Sequence, residues 1–199
     1  MSETSSIVSG EDKRLDMIRA TIKCLTRKGI GNTNMTDIAR EAGVARVTLY
    51  REFGTREKLL EAVVVYRLKQ FNLKFFASVV GVMSFPELIE AYLLESVRFA
   101  RSNPVTPRLT DGRMTFMREG SLIREASREC WAPIILKAQR EGDLSPGIEP
   151  RDAADWLLSL QYTLSRLSSE GGMDEDSLSR LVKAFAVPAF RTGNQTEPD

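Results

Sequence analysis

Six side chains between residues 36 and 56 are the strongest candidates for chemistry: Thr36, Arg46, Thr48, Tyr50, Arg51 and Arg56. Hydroxyl and guanidinium groups donate hydrogen bonds to phosphate oxygens. A guanidinium also matches the paired acceptors on the major-groove edge of guanine. The resulting division of labour gives the Thr and Tyr hydroxyls and Arg56 to phosphates and register, and Arg46 or Arg51 to base edges. A plainer assignment stands beside each. Thr48 and Tyr50 also suit a solvated polar face, and Arg51 is close enough in sequence to Glu52 and Glu57 to form an ion pair. Lys13, Arg14 and Lys28 are expected to contribute only a favourable field.

The charge distribution agrees with that chemistry. The 199 residues carry 28 Lys and Arg against 27 Asp and Glu, so the whole chain is no polycation. Between Lys13 and Lys58, however, eleven cations face five anions, and the remainder is net acidic. A basic end on a nearly neutral chain fits a small dedicated nucleic-acid-binding unit.

Other function classes are poorly served. There is no histidine, which removes the commonest general base and metal ligand. Cys24 and Cys130 are far apart and read as buried or indifferent thiols. Without a Cys or His cluster, a phosphate loop or a nucleophile motif, the expectation is no enzyme, no cofactor and no metal. Asp and Glu remain available for acid–base work, so a helical enzyme or small-molecule carrier stays open as an alternative. A DNA-binding module without a ligand is a second alternative. No apolar run reaches the length of a membrane span, since Leu59 to Leu68 is broken by Glu61, Tyr66 and Arg67. Residues 1–10 lack an apolar signal core, so a cytoplasmic protein without membrane contact is expected.

The elements that must position these residues are helical throughout, with no convincing strand. Residues 1–10 read as a disordered arm. Leu15, Ile18, Ile22 and Leu25 recur at helical spacing, and Lys28-Gly29 ends that helix. Asn34 is placed to cap a second helix, with Asp37 as its acidic partner. Gly43 turns the chain, and a third helix follows over about 45–53 with Leu49 and Phe53 inward. Steeply crossing helices around such a turn make a helix-turn-helix, whose second helix lies in a DNA groove. After Gly54, Thr55 caps a long fourth helix to about Val80. Further helices are expected over about 85–102, 122–140, 150–170 and 175–190, with an irregular stretch at 103–111 and a short helix toward Met117. Residues 191–199 read as a disordered tail. The fold class expected is all-α with about nine helices. A helix-turn-helix domain would occupy 11–55, and a second helical domain 56–190.

Residues 33–60 resemble the TetR family of bacterial transcription regulators. The resemblance is carried by Thr33-Asn34-Met35-Thr36-Asp37-Ile38-Ala39, Ala42-Gly43-Val44, Thr48-Leu49-Tyr50, Phe53, Arg56-Glu57 and Leu59-Leu60. It implies a homodimeric, repressor-like protein in which 56–190 is a ligand-binding and dimerisation domain, binding a small molecule and pairing through its last two helices. Two recognition helices would then meet successive major grooves of a near-palindromic double-stranded operator. Val47, Arg51 and Glu52 depart from the usual family pattern, and Glu52 facing DNA would repel phosphate.

The second half offers Phe99, Met114, Met117, Trp131 and Trp156 as apolar pocket walls, with Gln161 and Tyr162 as polar orienting groups. Ordinary core is the competing assignment for each. An unknown, largely apolar effector bound there would shift the fourth helix and so the separation of the reading heads. The dimer surface is expected on Trp156, Leu157, Leu160, Leu164, Leu178, Leu181 and Phe185, two amphipathic helices from each subunit forming a four-helix interface.

Overall fold

The computed structural model describes residues 3–79, 83–103 and 117–190. Among the described residues eight α-helices follow in order: α1 (Glu3–Lys28), α2 (Met35–Glu41), α3 (Arg46–Phe53), α4 (Arg56–Val79), α5 (Phe85–Ser102), α6 (Leu122–Glu141), α7 (Pro150–Ser169) and α8 (Glu175–Leu181). Among the described residues there is no strand.

Local chemistry accounts for most boundaries. The Asn34 side chain accepts from the backbone N–H groups of Thr36 and Asp37, each at 3.0 Å, and the Asp37 carboxylate accepts from the Asn34 N–H, closing a reciprocal cap. At the other end of α2, Gly43 has φ +66, with Gly43 N–H on the Arg40 carbonyl and Val44 N–H on that of Ala39. This paired closure needs a left-handed residue, which glycine supplies without a Cβ penalty. Ser84 and Glu87 cap α5, and Gly142 in left-handed geometry ends α6.

Two expectations are corrected. Helix α1 begins at Glu3, so residues 3–10 are not a patternless arm. Once the strongly periodic turns after Leu15 are formed, extending the helix backward costs little per residue, and no proline stops it. The last helix also departs from its expected course over 175–190. It stops as an α-helix at Leu181, widens to a π-turn over Val182–Ala186 and tightens to a 3₁₀ turn over Val187–Phe190. Pro188 lacks an N–H and its ring would strike the carbonyl four residues back in a continuous α-helix. The short helix expected toward Met117 and the tail at 191–199 lie outside the described residues, apart from Met117 itself.

Two main cores form. The first joins Met17, Ile18, Ile38, Leu49, Phe53, Leu59 and Val63 from α1 to the start of α4. The second joins Phe71, Phe75, Tyr92, Trp131, Leu157 and Leu178, from the far half of α4 through α8. Helix α7 packs on α5 and α6, and α4 packs on α1 and α6. Helix α4 is therefore a member of both cores.

Candidate functional site

Helix α3 is eight residues long and divides cleanly. Leu49 and Phe53 are buried against α1, α2 and α4. Arg46, Val47, Tyr50 and Arg51 are exposed, and Thr48 is half-buried. Thr36, at the first turn of α2, is exposed as well. The structure thus brings five of the six expected contact residues to the outside of the helix-turn-helix. Arg46 Nη2 donates to the Tyr50 hydroxyl at 3.1 Å, and its guanidinium lies 5.3 Å from the Tyr50 ring centroid. One turn apart on a helix, the two side chains brace each other while most of the arginine's donors remain outward.

Arg56 is placed differently. It is half-buried, and its Nη2 donates to the backbone carbonyls of Ile30 at 2.8 Å and Thr33 at 3.4 Å. Its guanidinium holds the α1–α2 loop to the start of α4. Arg56 thus has a positioning contact with loop carbonyls, made through one of its three guanidinium nitrogens, beside the expected phosphate role.

The anions of this region are occupied. Glu52 receives Arg14 Nη1 at 2.8 Å, and the same guanidinium lies 4.5 Å from the Phe53 ring centroid. Glu41 pairs with Arg27 at 3.0 Å and Asp37 with Lys28 at 2.8 Å. The Lys28 hydrogen bond, with help from the Asn34 N–H, holds the Asp37 carboxyl below its usual range. Glu52 does not pair with Arg51, contrary to that alternative for it. Among the described residues Arg46 and Arg51 have no ion-pair partner, so the outer face of α3 keeps its positive charge. Val47, 73% exposed in the middle of this face, is the functional candidate missed as a contact. An isolated apolar residue between Arg46 and Thr48 was the available signal, and such a side chain suits contact with a thymine methyl.

The expected pocket residues separate into groups. Trp131 is buried, with its ring 4.6 Å from that of Tyr92, and Phe99 lies 5.1 Å from Phe71. Gln161 neighbours the Tyr92 phenol and favours its ionised form, against the burial that opposes it. Met117 and Tyr162 instead pack on a small separate cluster of Val64, Ile123 and Leu158. Trp156 is 49% exposed and faces outward, so it does not line an interior pocket. Met114 lies outside the described residues. Asn72, Tyr92 and Cys130 were not foreseen as one group, because they are distant in sequence and no spacing rule joins them.

Of the expected dimer residues, Leu157, Leu164 and Leu178 are buried in the chain's own second core. They are corrected from interface to interior: α7 turns the Ala153, Ala154, Leu157 and Leu164 side inward. Leu160 and Leu181 are half-buried, and Trp156 and Phe185 are exposed.

A tight ionic group ties α6 to α7. Asp155 accepts from Arg124 at 3.0 and 2.6 Å and from Arg128 at 2.9 and 2.7 Å. Burial opposes ionisation of this carboxyl, but the hydrogen bonds from Arg124 and Arg128 outweigh it and hold it below the usual carboxylate range. Among the described residues no group of His, Cys, Asp and Glu could hold a metal ion, and no helix is long and apolar enough to cross a membrane.

Residues 17–63 match the family model for bacterial regulatory proteins of the tetR family. The HTH-type transcriptional regulator AqdR of Rhodococcus erythropolis is 43% identical over 53 residues, which is 27% of this chain and 26% of that protein. The match thus spans about a quarter of that relative's length. The TetR family repressor AlkX from Dietzia sp. strain DQ12-45-1b, implicated in biodegradation of n-alkanes, superposes with TM-score 0.68 at 21% identity, covering 88% of this chain and 93% of that one. The RolR structure, a complex with resorcinol, superposes with TM-score 0.65 at 16% identity, covering 90% and 91%. These two likenesses concern the fold.

Proposed function

Because residues 17–63 match the family model for bacterial regulatory proteins of the tetR family, we propose that this chain is a ligand-responsive transcriptional regulator acting on double-stranded DNA. It is not an enzyme in this reading. It works in the cytoplasm as a homodimeric repressor and leaves a near-palindromic operator when a small, largely apolar molecule binds. The division of labour is 11–55 for DNA and 56–190 for effector and dimerisation, with α4 shared.

The observation that carries the DNA half is the split of α3. Leu49 and Phe53 fix one face in the core, and Arg46, Val47, Thr48, Tyr50 and Arg51 are presented on the other with their charge unneutralised. Two such helices related by a dimer axis match successive major grooves. The dimer forms through the apolar side that α7 and α8 leave uncovered, with Trp156 and Phe185 at its centre and Leu160 and Leu181 beside them.

Helix α4 is suited to couple the halves. At one end Arg56 grips the Ile30 and Thr33 carbonyls, and at the other Phe71 and Phe75 pack in the second core. A displacement of the distal half would tilt the reading head. The RolR structure, alike in fold, is a complex with resorcinol, and a small effector for this chain is in keeping with that.

The test is fluorescence anisotropy of the purified chain with DNA flanking its own gene, against a scrambled duplex over a salt series. Preferential binding with a steep negative salt slope is expected. Equal affinity for both duplexes overturns the DNA assignment. Specific binding that no small molecule alters favours a regulator without an effector.

A further inference from the structure

We propose that the effector is an uncharged aromatic molecule with a hydrogen-bonding group, recognised by Asn72, Tyr92 and Gln161 beneath a groove between α4 and α5. This rests on the effector-responsive reading above and narrows it to one chemical class.

The second core contains a small polar centre built from four helices. Tyr92 Oη on α5 donates to Asn72 Oδ1 on α4 at 3.0 Å, and Asn72 Nδ2 donates to Cys130 Sγ on α6 at 3.1 Å. The Tyr92 phenol also neighbours Gln161 on α7 and Trp131 on α6, whose side chains favour its ionised form without outweighing burial. Every member is neutral. Burial pushes both the Tyr92 phenol and the Cys130 thiol up, so both keep their protons. Asn72 has one N–H and one lone pair engaged in these bonds and retains further capacity of each kind.

Aromatic rings surround this centre. Tyr92 lies 5.3 Å from both Phe71 and Phe75, 5.9 Å from Phe76 and 4.6 Å from Trp131. Phe71 and Phe75 also line an open groove of about 380 Å³, together with Leu94 and Phe99 and, among its charged residues, Lys74, Glu95 and Arg98. The same two rings thus line the groove and pack against Tyr92, and in this proposal the ligand reaches the polar centre when they turn aside. At the groove rim, Arg98 is already held by Glu95 at 3.0 Å and by Glu175, which leaves those charges satisfied without a ligand.

The chemistry of the walls selects the ligand. Rings prefer edge-to-face or offset neighbours, which a planar aromatic provides and a flexible chain does not. A carboxylate or ammonium carried to the Tyr92 centre would lose its water and meet no opposite charge. A groove of this size sits near the lower end of the range for small-molecule sites, which favours a compact ring system over a long acyl chain.

The experiment uses the full chain carrying Trp156→Phe. The sequence has two tryptophans, so Trp131 becomes the single fluorophore. Four probes are titrated: p-cresol, p-toluate, toluene and decanoate. Saturable quenching by p-cresol at least tenfold tighter than by p-toluate or decanoate, with toluene intermediate, is the expected result. Tyr92→Phe and, separately, Gln161→Met should each weaken p-cresol several-fold, with toluene affinity changed less than twofold and the helical circular-dichroism signal kept. Equal or tighter binding of p-toluate or decanoate, or p-cresol binding indifferent to both substitutions, overturns the assignment. So does the absence of p-cresol binding. Binding of p-cresol at Trp131 without any change in operator affinity supports the assignment and counts against the effector reading. Operator release by a compound that leaves Trp131 fluorescence untouched does the reverse.

Discussion

Arg51 and Arg56 carry the same charge a few residues apart and are set to different work. Arg51 is exposed without an ion-pair partner among the described residues, whereas Arg56 spends its Nη2 on two backbone carbonyls. Arg51→Ala should therefore flatten the salt dependence of operator binding by about one unit, as expected for one lost phosphate contact, with little change in melting temperature. Arg56→Ala should lower the melting temperature and weaken binding by loosening the α1–α2 loop, with the salt slope kept. Anisotropy over a salt series and thermal melts of the two variants separate the cases, and the opposite pattern would put Arg56 on the phosphates. Tyr50→Phe removes one hydroxyl and frees Arg46 from its brace, so operator affinity should fall by about 1 kcal/mol. The identities of these side chains were legible in the sequence. Their partners were not, because the Ile30 and Glu52 groups that claim Arg56 and Arg14 lie on other turns of the fold.

Helix-to-helix ties decide how firmly each element is held. The Arg14–Glu52 pair anchors the end of α3 to α1, and both side chains are partly open to water. A double-substitution cycle with Arg14→Ala and Glu52→Ala, read by thermal unfolding, should give a coupling of only about 0.5 kcal/mol. Its larger consequence is for DNA: Glu52, released from Arg14, would repel phosphate, so Arg14→Ala should weaken operator binding more than Arg14→Ala with Glu52→Ala. The α6–α7 tie is stronger. Because the Asp155 carboxyl is held below its unfolded range, its contribution is present above about pH 4 and is lost as pH falls through the folded value. Asp155→Asn should cost about 2–3 kcal/mol near neutrality, and the acid limb of the stability profile should become shallower. Thermal melts between neutral and acid pH check both statements. An unchanged acid limb would show that Asp155 titrates alike in folded and unfolded chains.

At the scale of the whole molecule, some apolar surface is spent inside the chain and some is left outside, where the proposed dimer would use it. Leu157 and Leu178 are spent inside, and Trp156 and Phe185 are left out. Leu157→Ala should destabilise the chain by about 2–5 kcal/mol through a cavity in the second core. Trp156→Glu with Phe185→Glu should instead leave each chain folded and move the sedimentation mass toward the single-chain 22.3 kDa. A dimer that survives both charges would place the interface elsewhere. The two cores meeting along α4 set the other whole-molecule property, a single helix shared by both, which the proposed function uses to couple DNA and effector.

The sequence by itself determined the helical architecture, most helix ends and the polar face of α3. These follow from short-range rules: Asn34 with Asp37, Ser84 with Glu87, glycine at positive φ, and apolar residues at steps of three and four. Only the tertiary structure decided the rotation of each helix against its neighbours. Trp156 and Leu157 are adjacent and equally apolar, and periodicity defines a buried stripe too broad to part them. Packing of α7 on α5 and α6 turned Leu157 in and Trp156 out. The Asn72–Tyr92–Cys130 centre is likewise assembled across separations of 20 and 58 residues. Such contacts depend on how whole helices dock, and no local spacing encodes them.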